Sequence, residues 1–177
     1  VAPSDEAELA GFIRQAASER EPVYPIGGGT RLAYGLPASA PGLGLRTTGL
    51  NRLVDHAADD MTITVEAGTT FAQLAEILAA KRQRLPIDVP FPSQATLGGI
   101  VATNTFGPRR FGYRTIRDYL IGLRAVDGQG EPFAGGGRVV KNAAGYDISR
   151  LLIGSLGALG VVTQLSLMVR PAAETAA

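Results

Sequence analysis

Pro25-Ile26-Gly27-Gly28-Gly29-Thr30 and Thr96-Leu97-Gly98-Gly99-Ile100-Val101-Ala102-Thr103-Asn104 are the two stretches that decide the fold. Each follows an extended, apolar or proline-containing segment. Backbone N–H groups in such turns have no side chain in the way, so they can form an anion-binding nest. Two of these turns in one small domain predict a diphosphate held from both sides, and therefore a dinucleotide cofactor and redox chemistry. Taken alone, either stretch is equally well explained as a tight turn or as a helix packed closely on a neighbour.

The spacing of the glycines excludes the two commonest nucleotide-binding loops. Neither stretch has the Gly-x-Gly-x-x-Gly pattern at the start of a long helix, and neither is followed by Gly-Lys-Ser/Thr. The second stretch predicts a short apolar helix over residues 100–103. Its free N–H groups and dipole would favour a phosphate at that end, and the small side chains of Ala102 and Thr103 would let a ligand approach closely.

The composition restricts the class of protein. The 177 residues are 45% hydrophobic, which is enough for one well-packed domain, and the net charge of +1 gives no sign of a nucleic-acid partner. The chain has no Cys and one His, so we expect neither disulfides nor a transition-metal site. No apolar run approaches the length of a transmembrane segment, and we expect a cytoplasmic protein.

The hydrophobic patterning predicts an α+β fold. Helices are expected after Ser4-Asp5-Glu6 and after Thr69 or Thr70, and a β-hairpin is expected over residues 120–134. The clearest strand is residues 160–169. The pattern favours a βαβ-like N-terminal lobe at about residues 1–88 and a mostly antiparallel second lobe at about residues 89–171.

Few other residues are candidates for a binding or catalytic role. Arg109, Arg110, Arg114 and Arg117 form the densest basic stretch, which indicates charge compensation for an anion or a solvated loop with an Arg–Asp pair. His56 is interpreted as an exposed loop residue. The polar group Lys141, Asn142, Gly145, Tyr146 and Asp147 would either face the cofactor or anchor the following helix. No set of residues forms a convincing acid–base constellation, so catalytic residues are left unassigned.

An ordered series of segments resembles the PCMH-type FAD-binding domain of the vanillyl-alcohol oxidase family. The resemblance runs from about residue 22 to residue 171. Within that family, the last two segments are similar to those of bacterial 2-hydroxy-acid oxidoreductases, in particular the FAD-binding subunits of glycolate oxidases. The segments are the two glycine stretches, residues 63–68, Arg117-Asp118, residues 139–147 and residues 154–163.

The resemblance implies two lobes with FAD between them. The first loop (residues 26–31) and the second loop (residues 96–103) would wrap the pyrophosphate and reach towards the flavin. The backbone around residues 160–162 would lie along the cofactor. Thr30 stands where some relatives carry a His that bonds covalently to the flavin, so a non-covalent cofactor is expected. The implied FAD-binding residues are Ile26, Gly27, Gly28, Gly29, Thr30, Arg31, Ser93, Thr96, Leu97, Gly98, Gly99, Ala102, Thr103, Gly160, Val161 and Val162.

The resemblance also implies what lies outside this chain. Relatives continue into a second domain that caps the flavin and supplies substrate-binding groups, and that domain is expected to be absent here beyond Arg170-Pro171. The full protein is expected to oxidise a small 2-hydroxy acid such as glycolate, together with other oxidase subunits, with membrane association only through those subunits. The alternatives are a non-catalytic FAD-carrying relay or structural subunit, and a flavin reductase of cell-wall precursor synthesis. The Lys-Asn-x-x-Gly-Tyr-Asp segment argues against the reductase.

Overall fold

The computed structural model describes residues 1–137 and 147–173, and these residues form an α+β fold, as the sequence predicts. The helices are α1 (Glu6–Glu19), α2 (Phe71–Ala79), α3 (Leu97–Thr103), α4 (Arg110–Tyr113) and α5 (Ile148–Leu152), with a 3-10 turn over Ile116–Asp118. The strands are β1 (Val23–Ile26), β2 (Leu43–Arg46), β3 (Leu53–Ala57), β4 (Thr62–Glu66), β5 (Gln83–Arg84), β6 (Leu120–Val126), β7 (Pro132–Gly136), β8 (Val161–Met168) and β9 (Arg170–Pro171).

The main sheet is antiparallel and has the order β3-β4-β8-β6-β7. Strand β8 is central, and its side chains alternate between the core and a more exposed face, as expected for a sheet covered on one side. Val65, Leu165 and Leu123 lie side by side on the three central strands and are all buried. The helices α2 and α3 contribute Leu74, Leu97 and other side chains to this same core.

A smaller sheet consists of the parallel pair β1 and β2. The connection between these strands contains turns but no helix, so the N-terminal part is a parallel pair without the predicted βαβ crossover. The main sheet takes β3 and β4 from one side of residue 88 and β8, β6 and β7 from the other. Strands from both sides of residue 88 thus share one sheet.

Local signals at the helix ends agree with the sequence interpretation. The Asp5 side chain accepts a hydrogen bond from the Glu8 N–H and starts α1. Thr70 and Gln73 form a capping box at the start of α2. Within residues 1–137 and 147–173, no helix is both long and apolar enough to cross a membrane.

His56 does not lie in a loop, as the sequence interpretation had it. It is the fourth residue of the edge strand β3 and is half-buried. Its Nε2 lies 2.8 Å from Oε1 of Gln83, and the Gln83 amide nitrogen donates to the carbonyl of Ala58. The interpretation was wrong because Leu53-Val54 alone suggested a strand too short to reach His56.

Helix α1 is joined to the main sheet by a charged cluster at its first turn. The Glu6 carboxylate accepts hydrogen bonds from the guanidinium of Arg124 on β6 and from the hydroxyl of Thr163 on β8. The Glu6 side chain is only 26% exposed. The hydrogen bond from Arg124, followed by that from Thr163, outweighs burial and lowers the pKa of the Glu6 carboxyl below its ordinary value of 4.5.

We expect Glu6→Gln to lower the free energy of unfolding by about 1–2 kcal/mol at neutral pH, because it removes a charge-assisted hydrogen bond. A carboxyl whose pKa is lower in the folded state stabilises the fold above its unfolded-state pKa, and this contribution is lost as the pH falls through the folded-state pKa. The difference between the wild type and the variant should therefore shrink as the pH falls below 4.5. This difference in the free energy of unfolding is measured by urea denaturation, monitored by circular dichroism, at a series of pH values.

Glu76→Gln is the matched control, because Glu76 is exposed on α2. That variant should unfold like the wild type at every pH. If Glu6→Gln lowers the free energy of unfolding by the same amount at neutral and at acid pH, the ion pair with Arg124 does not stabilise this fold.

Candidate cofactor-binding site

A cavity of about 840 Å³, counting its open mouth, lies between the first glycine loop and helix α3. Segments that are far apart in the sequence form its walls. The lining residues are 25–32, Tyr34, Val89, Pro90, Ala95, Thr96, Gly99, Ile100, Ala102, Thr103, Thr105 and Leu156.

The two glycine stretches are in direct contact with each other at the base of this cavity. A Cβ atom on Gly27 would overlap the Thr96 hydroxyl, and a Cβ atom on Gly28 would overlap the carbonyl of Gln94. Gly29 has a φ of +74°, which is in the left-handed region. The first two glycines are thus required for close packing, and the third for the turn.

The first loop presents unused hydrogen-bond donors. Among the residues that the structure describes, no acceptor pairs with the backbone N–H groups of residues 27–31, and all five residues line the cavity. Thr30 adds a hydroxyl group, and Arg31 adds an exposed guanidinium. Backbone N–H groups left without partners favour an anionic ligand.

The N-terminal end of helix α3 differs from the sequence prediction. The helix begins at Leu97, so Gly98 and Gly99 lie within its first turn and not before it. The Leu97 N–H donates to the Thr69 carbonyl, and the Gly98 N–H donates to the Ala67 carbonyl. The Gly99 N–H is capped by the Thr96 hydroxyl at 3.3 Å. The predicted set of free N–H groups at this helix end is therefore wrong, because the neighbouring backbone and the N-cap use them.

The remaining cavity wall is apolar or carries hydroxyl groups. Ile26, Val89 and Ile100 supply apolar surface. The Thr103 hydroxyl donates to the Gly99 carbonyl and lies 2.6 Å from the Thr105 hydroxyl. No Asp, Glu, His or Lys is found among the described residues that line this cavity. The described walls suit a flat ring and present no evident general acid or base.

Ten of the sixteen predicted binding residues line the cavity, and six do not. Ser93 is exposed, and Leu97 and Gly98 face the body of the protein. Gly160, Val161 and Val162 are buried at the start of β8, beside Val126 and Ala125 of β6. Those that line it are Ile26, Gly27, Gly28, Gly29, Thr30, Arg31, Thr96, Gly99, Ala102 and Thr103.

Nine residues that line the cavity were not among the predicted binding residues, namely Pro25, Leu32, Tyr34, Val89, Pro90, Ala95, Ile100, Thr105 and Leu156. Leu156 had a detectable signal, since it lies between Gly154 and Gly157 in a glycine-rich segment. It adopts a φ of 55°, and its N–H donates to the Ala102 carbonyl, which brings this segment against α3. The polar group at Lys141, Asn142, Gly145 and Tyr146 lies outside the described residues.

The arginine stretch is separate from the cavity. Arg109 pairs with Asp88 and Arg114 pairs with Asp118 at N–O distances of 3.2 and 3.5 Å, which agrees with the expected Arg–Asp pairing on a loop. A hydrogen bond from the Thr115 N–H, assisted by Arg114, lowers the pKa of the Asp118 carboxyl. None of these four arginines lines the cavity.

Comparison with solved structures supports the fold. Two structures of alkyldihydroxyacetonephosphate synthase match 99% of this chain with a TM-score of 0.82 in both cases. The sequence identities are 21% and 22%, and the matches cover 32% and 34% of those chains. At this identity the likeness concerns the fold alone.

Several curated proteins are more similar in sequence. Glycolate oxidase subunit GlcE of Escherichia coli (strain K12) is 36% identical over 90% of this chain. Glycolate oxidase subunit GlcD of Bacillus subtilis (strain 168) is 32% identical over 99%, and a D-lactate dehydrogenase of Archaeoglobus fulgidus is 36% identical over 97%. The chain spans less than half of each relative, namely 45%, 37% and 38%.

A model of the protein family described as "FAD binding domain" matches residues 1–134, which is most of the chain. The match includes both glycine stretches and all of the cavity residues except Leu156. The chain therefore belongs to the FAD-binding domain family, and its cofactor is FAD.

Proposed function

We propose that this chain is the cofactor-binding part of an FAD-dependent 2-hydroxy-acid oxidoreductase and that the cavity beside α3 holds the FAD. The observation that carries this proposal is the run of five cavity-lining N–H groups at residues 27–31 with no partner among the described residues. A pyrophosphate is the part of FAD that such donors suit. Arg31 would offset its negative charge.

The rest of the cavity suits the remainder of the cofactor. Ala102 and Thr103 on α3 have small side chains, so a ring or a ribityl chain can approach the helix backbone closely. Ile26 and Ile100 would exclude water from an apolar ring. We infer a non-covalent complex, because Thr30 is the residue after the glycines and the cavity has no His or Cys among its described lining residues.

The substrate class is inferred from the relatives. The relatives named for glycolate and D-lactate, and a further relative named D-2-hydroxyglutarate dehydrogenase, all carry the name of a 2-hydroxy acid. FAD, when bound, supplies a hydride acceptor at flavin N5 for the hydrogen on the substrate α-carbon. This chain's residues would bind and orient the cofactor, and we propose glycolate as the substrate of the complete protein.

A second function is an FAD-carrying subunit that relays electrons while substrate oxidation takes place on another chain. The observation that favours it is the lack of Asp, Glu, His and Lys among the described cavity residues. The names of two relatives as oxidase subunits agree with it. In either case companion oxidase subunits are the proposed partners.

We expect the purified protein to bind FAD and to release it on acid precipitation, because no covalent bond is proposed. The supernatant should then contain the flavin, and the pellet should be colourless. Saturating FAD at about one hundred times its dissociation constant should stabilise the fold by about 2.7 kcal/mol. Folded protein that neither contains nor takes up FAD contradicts the proposal, and flavin in the pellet contradicts the non-covalent part.

Gly28→Ala should weaken FAD binding by at least roughly tenfold, because the added methyl group pushes the first loop away from the Gln94 carbonyl. Fluorescence titration with FAD measures the effect. Gly11→Ala is the matched control, since nothing lies within 4 Å of a Cβ atom at that helical position. The control should bind FAD normally and be slightly more stable, by up to about 1 kcal/mol. Normal FAD binding by Gly28→Ala would place the cofactor elsewhere.

Anaerobic reduction separates the two candidate functions. If the complete protein is the oxidase, glycolate should bleach its flavin absorption without any companion chain. D-lactate and D-2-hydroxyglutarate are each tested separately as alternative substrates. Bleaching that appears only after a companion chain is added supports the relay subunit. Bleaching by D-lactate but not by glycolate would contradict glycolate as the substrate.

A further inference from the structure

A smaller space, which we call the side recess, adjoins the cofactor cavity at the C-terminal end of α3. It measures about 390 Å³, counting its open side. All of its lining residues except Asn104 and Phe106 also line the cofactor cavity. Neither of these two is among the binding residues predicted from the sequence. The side recess is lined by Arg31, Tyr34, Thr103, Asn104, Thr105 and Phe106.

The side recess begins where the first glycine loop ends. Arg31 is the last residue of the run with unpartnered N–H groups, and it lines both spaces. The Tyr34 N–H donates to the Arg31 carbonyl at 2.9 Å, and Tyr34 also lines both spaces. A pyrophosphate on this loop, as proposed above, would therefore lie next to both spaces. FAD carries a ring system on each side of its pyrophosphate, so each space can take one of the two.

Asn104 brings a polar group with an unused acceptor to the side recess. It is the C-cap of α3 and has a φ of 48°, a backbone conformation that asparagine tolerates. Its side-chain Oδ1 is shielded from solvent and accepts no hydrogen bond within the described part of the chain. A buried acceptor without a donor is unfavourable. The residue as a whole is only partly buried, and the last torsion of an Asn side chain is broad, so the amide can turn towards a donor in the recess.

An adenine ring carries the groups that match this wall. Its N6 amino donor lies beside the N7 acceptor, and an Asn amide can pair with both, through its oxygen and its nitrogen. Adenine also stacks on aromatic side chains, and Tyr34 and Phe106 supply rings that are 61% and 41% exposed. By contrast, the described lining residues of the cofactor cavity include no side-chain amide. The chemistry of the side recess therefore suits the adenine end of FAD.

Phe106 is held in place by a residue outside the side recess. The Arg110 guanidinium lies 4.4 Å from the centre of the Phe106 ring. This contact restrains the ring before a ligand arrives, which reduces the conformational entropy lost on binding. Phe111 has the same neighbour, with its ring centre 5.0 Å from the Arg110 guanidinium, but it is 87% exposed and lines neither space. Phe111 is therefore a matched control for Phe106.

We propose that the side recess holds the adenine of FAD, with the Asn104 amide on its N6/N7 edge and the Phe106 ring against its face. This inference rests on the proposed function, because it requires the pyrophosphate on residues 27–31. The flavin ring then occupies the apolar part of the cofactor cavity. Asn104 and Phe106 thereby determine a preference for FAD over FMN, which has the flavin and a phosphate but no adenosine.

The test compares FAD with FMN by equilibrium dialysis against the complete protein after its flavin has been removed. The wild type should bind FAD at least roughly tenfold more tightly than FMN. Asn104→Gly and Phe106→Leu should each weaken FAD binding by roughly tenfold and change FMN binding by less than about twofold. Glycine preserves the left-handed helix end, and leucine preserves an apolar side chain. Phe111→Leu should bind both flavins like the wild type. If Asn104→Gly does not fold, Phe106→Leu decides.

Three results would overturn this proposal. They are equal affinities of the wild type for FAD and FMN, unchanged FAD binding in either folded variant of Asn104 or Phe106, and an equal loss in Phe111→Leu. If the recess variants weaken FAD and FMN binding equally, the flavin ring and not the adenine contacts the side recess. A failure of the cofactor proposal looks different, because the wild type would then bind neither flavin or Gly28→Ala would bind both normally.

Discussion

The close contact between the first glycine loop and the segment before α3 is the constraint on which the candidate site depends. Gly27 and Gly28 have no side chains, so the loop can lie directly on Gln94 and Thr96. Those residues are themselves fixed, because the Phe71 N–H donates to the Ala95 carbonyl and the Leu97 N–H donates to the Thr69 carbonyl. The loop is thus positioned by the same backbone that connects α3 to the main sheet.

This arrangement assigns different tasks to the two glycine stretches. The N–H groups at the start of α3 are used to attach the helix to the strand–helix connection around Ala67 and Thr69. The N–H groups of residues 27–31 have no such partners in the described part of the chain. These N–H groups line the cavity and are available to a ligand, so a site for an anionic group is expected on the first loop and not at the helix end. Helix α3 then serves as a wall, for which small residues such as Ala102 are suited.

The parts of the fold that depend on local signals could be predicted from the sequence. The cap at Asp5, the cap at Thr70, the hairpin of β6 and β7 and the long strand β8 all have short-range patterns. The pairing of β4 with β8 has no such pattern, because Thr64 and Ser166 meet across about one hundred residues of chain. The position of His56 was missed for a local reason, because Leu53-Val54 alone indicated a strand too short to include it.

The same difference between local and long-range signals applies to the cofactor-binding site. The glycine loops were found because glycine has a distinct physical role, whereas Leu156 reaches the cavity only through a long-range hydrogen bond to Ala102. Val161 and Val162 were assigned to the cofactor by resemblance alone, and both are buried at the start of β8.

Two arginine environments in this chain show what separates a structural charge from an available one. Arg124 lies between α1 and the sheet, and its charge is matched by Glu6 through two hydrogen bonds, which raises the pKa of the guanidinium further. Arg110 is instead held between two phenyl rings, which orient the guanidinium but leave its charge uncompensated. In an ion pair, the carboxylate that orients the arginine also neutralises its charge and occupies its N–H groups. An aromatic ring orients the guanidinium without neutralising it and leaves its hydrogen-bond donors free.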